Sequence, residues 1–155
     1  MGTPGTKGQT VTVTLSGSTN VLAGSASFKN AAQSSSFGTA QDTAGENSPA
    51  SLSFSGLSSN GAVMDDIAIS TQQPITGLGG SQTSLWSAAN GSNIYGSSSY
   101  ATGAVTSMSQ SWTGGSTHWA YIAVPINPAT TSGPARKGQT IVGQLVPPNV
   151  GNLWQ

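Results

Sequence analysis

Apolar and polar positions alternate with a period of two along most of this chain, the mark of strands with one buried face. The clearest stretch runs from Val105 to Pro128. In its first arm Thr106, Met108, Gln110 and Trp112 share one face, and Val105, Ser107, Ser109 and Ser111 share the other. Thr113-Gly114-Gly115-Ser116 breaks the pattern, as glycines at a reversal do. In the second arm Ala120, Ile122, Val124 and Ile126 oppose Trp119, Tyr121 and Ala123. Both of its faces are largely apolar, which predicts a central strand covered on both sides. Pro125 and Pro128 are expected to close it, since proline cannot donate to a ladder. The stretch therefore predicts a β-hairpin, Val105 to Asn127, that holds the core, with Ile122 inside.

Other segments carry the same period. Gln9 to Leu15 places Val11, Val13 and Leu15 inward and Thr10, Thr12 and Thr14 outward. Val21 to Phe28 reads as a strand with Leu22, Ala26 and Phe28 on one face. Asn30 to Asn47 reads as a long loop with one short strand near Phe37 to Thr43. Pro49 to Gly56 buries Leu52 and Phe54, and Ala62 to Ser70 buries Val63, Ile67 and Ile69. Thr71 to Gly80 reads as a loop, Ser81 to Ala88 as a strand with Leu85 and Trp86, and Ile94 to Thr102 as a strand with Tyr95 and Tyr100. Asn60-Gly61 and Asn90-Gly91 are turn signals. After Pro128 the composition shifts to a linker, Ala129 to Ala135, followed by one further strand candidate, Lys137 to Val146, stopped by Pro147-Pro148. No segment holds a helical period. Short strands with regular turn signals predict an all-β, antiparallel, jelly-roll-like β-sandwich of about eight to ten strands. The expected organisation is a leader (1–8), a sandwich domain (9–128), a linker (129–135) and a C-terminal strand and tail (136–155).

Charge narrows the function classes. Four basic and four acidic residues among 155 leave a formal net charge of zero. Nucleic acid needs clustered Lys and Arg to neutralise phosphate, and anionic membranes attract polybasic segments; neither is present. No apolar run is long enough to insert in a bilayer. The four Trp, three Tyr and three Phe argue for a folded chain rather than a disordered one. Gly, Ser and Thr dominate the polar positions, giving a surface that hardly titrates and offers little repulsion between copies. With no cysteine, disulfides and thiolate metal sites are excluded. These features point to an extracellular or cell-surface protein, or alternatively one on a virion surface.

Five stretches together resemble a group of non-catalytic β-sandwich modules from large secreted and cell-surface proteins, and from some phage proteins. They are VTVTLSG, LAGSASFKNA, AVMDDIAIS, GGSQTSLW and the TSMSQSW…HWAYIAVPINPA ending, spread over Thr6 to Ala129. The resemblance implies a sandwich fold and brings no catalytic residues with it. Such modules begin with further strands ahead of the position of VTVTLSG, and Arg136 to Gln155 has no counterpart in them. The expectation is that the additional C-terminal strand, or another chain, fills that edge.

No residue is assigned a catalytic, cofactor-binding or metal-binding role. His118 flanks a turn, and no G-x-S-x-G elbow accompanies it. Asp65 and Asp66 are adjacent in a strand, so they face opposite sides and cannot work as a facing acid–base pair. One is expected exposed and the other satisfied by neighbouring groups; a loop-assisted Ca²⁺ site is the sharper alternative. Lys29 would need burial beside an acid to form an isopeptide link. Trp112 and Trp119 are candidate glycan contacts, weighed against core packing. Asn90 opens the sequon Asn90-Gly91-Ser92 and is a candidate glycosylation site.

The function these readings favour is structural and non-enzymatic. Copies of the protein, or this protein and another surface or virion protein, would assemble, in the extended case into a filament by strand exchange. Gln139, Ile141, Val142, Leu145 and Val146 are the candidate assembly residues. The alternative is a carbohydrate-binding or adhesive module.

Overall fold

The computed structural model describes residues 12–17, 21–71, 73–91 and 93–130. Among them are eight strands and no helix: β1 Gln41–Gly45, β2 Ala50–Ser53, β3 Ala62–Ile69, β4 Ile75–Leu78, β5 Thr83–Asn90, β6 Ile94–Thr102, β7 Ser107–Trp112 and β8 Trp119–Ile126. They form two antiparallel sheets, one in the order β1-β8-β3-β6-β5 and one in the order β2-β7-β4. The fold is the all-β antiparallel sandwich that the period-two pattern predicts.

The alternation also reports correctly which residues face inward in the strongest strands. Val63, Ile67, Ile69, Ala101, Tyr121 and Ala123 of the five-stranded sheet pack against Ala50, Leu52, Met108 and Trp112 of the smaller sheet. Removing this apolar surface from water is the main favourable term, about 25 cal/mol per Å² buried.

Pairing departs from expectation at the centre of the fold. The arms of the predicted Val105–Asn127 hairpin lie in different sheets. β7 sits between β2 and β4, and β8 sits between β1 and β3. Each arm buries one face, Met108, Gln110 and Trp112 on β7 and Tyr121, Ala123 and Pro125 on β8, and those faces meet across the sandwich. Trp112 and Trp119 span the gap edge to face, with ring centroids 6.4 Å apart. Among the described residues the only pair of consecutive strands bonded to each other is β5–β6, joined at the Asn90-Gly91 turn, where Gly91 has φ 61°. At every other connection the chain changes sheet. Ile122, expected inside, lies on the outer face of β8 and is 44% exposed. Pro125 does not end β8. It lies opposite Val63, past the last β1 pair at Ala123, so its missing N–H costs the β1 ladder nothing, and its carbonyl accepts from Gly38 N at 2.9 Å.

Four further expectations change. Residues 12–15 of the first candidate strand have no ladder, and Val13 and Leu15 are exposed; residues 9–11 lie outside the described part. Val21 to Phe28 is not a strand, and of its three expected inward residues Leu22 and Phe28 are half-buried while Ala26 is exposed. The short strand expected near Phe37 to Thr43 begins later, at Gln41, and Phe37 makes only an isolated bridge to Ile126. The loop expected from Thr71 to Gly80 contains β4, an edge strand with a register shift between Ile75 and Gly77. Alternation and apolarity mark a residue that suits a pleated surface; they do not supply the partner strand that makes the ladder. The leader (1–8), residues 131–135 of the linker and the whole of 136–155, including Gln139, Ile141, Val142, Leu145 and Val146, lie outside the described residues.

Candidate assembly surface and the buried Asp65 cluster

Because side chains alternate along β3, Asp65 and Asp66 face opposite sides of the five-stranded sheet. Asp65 points into the sandwich and is 1% exposed. Its Oδ1 accepts from Ser99 N at 2.7 Å, Ser99 Oγ at 2.7 Å and Gln110 Nε2 at 2.9 Å. Its Oδ2 accepts from Gln82 Nε2 at 3.0 Å and Tyr121 OH at 2.5 Å. Gln82 Oε1 in turn accepts from Ser109 N at 2.7 Å, which fixes the amide with its NH₂ towards Asp65. Burial pushes the Asp65 carboxyl up, and the bonds from Tyr121, Ser99 and Gln110 pull it down. Burial and the neighbouring carboxylate push the Tyr121 phenol up, so it remains a donor. No cationic side chain is among these contacts. The cluster ties β3, β6 and β8 to β7 and to Gln82, across both sheets. A donor-saturated carboxylate sealed in this way offers no open position for a substrate; it holds register.

Asp66 lies on the outer face. Cross-strand pairing places Asp42, Ile122, Asp66, Ser98 and Trp86 in one row across the sheet. The next row is Ala44, Ala120, Ala68, Gly96 and Ala88, and on the other side come Val124, Met64 and Tyr100. Small and apolar side chains therefore pave this face, with two acids flanking Ile122. Burial, and then the charge of Asp65, raise Asp66 to about 6. The irregular segment 21–28 straps one half of the face. Leu22 reaches Gly96, Gly24 lies so close to the Trp86 indole that a Cβ there would collide with it, and Phe28 meets Tyr100 edge to face at 5.9 Å. Asn90 Nδ2 donates to Val21 O at 3.0 Å and anchors the start of the strap.

Between the strap and the opposite wall of Phe37 and β1 runs an apolar trough. One hollow of about 720 Å³ is bounded by Leu22, Trp86, Ala68, Ala120 and Ile122. A second of about 430 Å³ is bounded by Phe28, Phe37, Met64, Val124 and Ile126. Phe37 is 64% exposed. Among the described residues Lys29 is the single Lys or Arg, against Asp42, Glu46, Asp65 and Asp66, a formal charge of −3. The remaining cations, Lys7, Arg136 and Lys137, balance it from outside the described part.

The other candidates fall as follows. Trp112 is buried, and Trp119 is half-buried with its indole N–H donating to Asn47 O at 3.0 Å. The pair packs inward rather than presenting two exposed rings. His118 is exposed and lies 3.2 Å from Glu46 Oε1. Lys29 is exposed at the end of the strap. Asn90, the sequon asparagine, spends its side-chain amide on Val21. The residues that complete the Asp65 cluster, namely Tyr121, Ser99, Gln82 and Gln110, were not singled out from sequence. The signal available was Gln110 on the inward face of β7 and Asp65 on the inward face of β3, two polar groups at buried positions that require each other.

Compared with protein-family models, with curated proteins and with solved structures, the chain finds no match in any of the three.

Proposed function

We propose that this chain is a structural, non-enzymatic module of an extracellular, cell-surface or virion assembly, and that it associates with further copies of itself. The observation that carries the reading is the outer face of the five-stranded sheet. Phe37, Ile122 and Val21 are exposed there above an apolar trough. Contiguous apolar surface of this kind marks interaction sites more often than scattered single residues do. A formal charge of zero over the whole chain adds little repulsion to oppose association. The resemblance of the five sequence stretches to non-catalytic sandwich modules of surface and phage proteins supports the same reading. Exchange of the C-terminal segment between copies would be a head-to-tail contact, and a head-to-tail contact that does not close propagates into a filament. Sedimentation velocity over a concentration series, with electron microscopy of the heaviest fraction, tests the proposal. Concentration-dependent assemblies are expected, and a monomer at every concentration would sink it.

A further inference from the structure

We infer that the trough on the outer sheet face is the seat for residues 136–146 of a second copy, with Lys137 set against Asp42 and Asp66. The inference rests on the assembly reading above and names its contact. Three observations carry it.

The first is charge. The described domain holds all four acids and one basic side chain, while Arg136 and Lys137 precede the only apolar strand candidate beyond Thr130. Two of those acids, Asp42 and Asp66, stand on either side of Ile122 in the trough floor. Neighbouring strands are about 4.8 Å apart, so the two carboxylate-bearing residues sit roughly 10 Å from each other. A single long basic side chain, that of Lys137, standing over Ile122 lies about one strand spacing from each of them.

The second is pattern. Lys137, Gln139 and Ile141 share one face of an extended segment, and so do Ile122, Val124 and Ile126 of β8. With Lys137 level with the acid row, Gln139 lies over Met64 and Val124. Ile141, roughly 13 Å further on, reaches the hollow beside Phe37 and Ile126. The Lys137 cation meets the acids and the first large apolar side chain meets the apolar hollow in a single register.

The third is length, which selects a second copy over the chain's own terminus. Ala129 N is bonded to Asn30 O, and Pro128 bridges Ala31, so Thr130 lies past the end of β8. From Thr130 back to the level of Ile122 is roughly 26 Å along the strand direction, plus about 10 Å for a layer stacked on the sheet. The residues from Thr130 to Arg136 span at most about 21 Å. Even with the length of the Lys137 side chain added, the chain's own terminus would have to run fully stretched towards Ile122 and then double back at Lys137 for Ile141 to reach Ile126, whereas a neighbour's segment has no such limit.

The test uses the full chain. Lys137→Glu is expected to weaken self-association at least tenfold in sedimentation velocity. Circular dichroism of the variant is expected to match that of the unaltered chain. Adding Asp42→Lys, on an exposed position of β1, is expected to recover part of the loss by restoring opposite charges. If the unaltered chain assembles but Lys137→Glu assembles equally well, or Asp42→Lys recovers nothing, the docking is overturned and the assembly reading stands. If the unaltered chain is a monomer at all concentrations, both fall.

Discussion

Tyr121→Phe removes one hydroxyl and no carbon, so its cost isolates a single donor of the Asp65 cluster. In the folded protein Asp65 Oδ2 would keep only Gln82 Nε2, while Oδ1 would keep its three donors. A hydrogen bond to a charged group contributes about 1.5–3 kcal/mol net, and one between neutral groups about 0.5–1.5 kcal/mol. The expected loss therefore depends on whether Asp65 is ionised. Because burial raises its carboxyl, the folded protein binds more protons than the unfolded chain from the ordinary carboxylate range up to the raised value. Stability falls as pH rises through that window. Removing the Tyr121 bond removes the largest of the influences that lower the carboxyl, so the variant's window reaches higher and its decline is steeper. The difference between the two proteins should then be about 0.5–1.5 kcal/mol on the acid side of the Asp65 titration and about 1.5–3 kcal/mol on its alkaline side. Urea unfolding followed by tryptophan emission measures it, since Trp112 is buried in the core and becomes exposed on unfolding. A loss under about 0.5 kcal/mol at every pH, or a loss that does not change with pH, would refute the argument that a donor-saturated carboxylate locks the two sheets.

Ile67→Ala, in the core, is expected to cost about 2–5 kcal/mol, whereas Ile122→Ala, on the outer face, should cost about 1 kcal/mol or less; equal losses in denaturant titrations would contradict the facing assigned to β8. Asp66→Asn should stabilise the dilute protein above pH 6 by about 1 kcal/mol, a value discounted because the group is only half-buried. The reason is that the wild-type carboxyl, raised to about 6, loses stability as pH rises from the ordinary carboxylate range through that value; a lower melting temperature than wild type at pH 8 would contradict this. His118→Ala removes only an exposed contact with Glu46 and is expected to change stability by less than about 0.5 kcal/mol, checked by thermal melts.

The burial pattern of this protein was written in its alternation. Val63, Ile67 and Ile69 on β3, and Met108 and Trp112 on β7, face inward as their spacing required, because a strand with one buried face leaves a period of two. Asn90-Gly91 announced the hairpin of β5 and β6, since its geometry is local. Alternation is silent about partners. β7 and β8 read as neighbours because they are adjacent in sequence, yet they face each other from opposite sheets. The Asp65 cluster joins residues 17 to 56 positions from Asp65, and no local signal connects Asp65 with Ser99, Gln110 or Tyr121. The outer trough arises the same way. Asp42, Ile122 and Asp66 come from three separate strands and become one row only through register. Local chemistry decides which way a side chain points. Which side chains share a face is decided by non-local pairing, and here that pairing sealed one acid in the core and set its neighbour on the outer face.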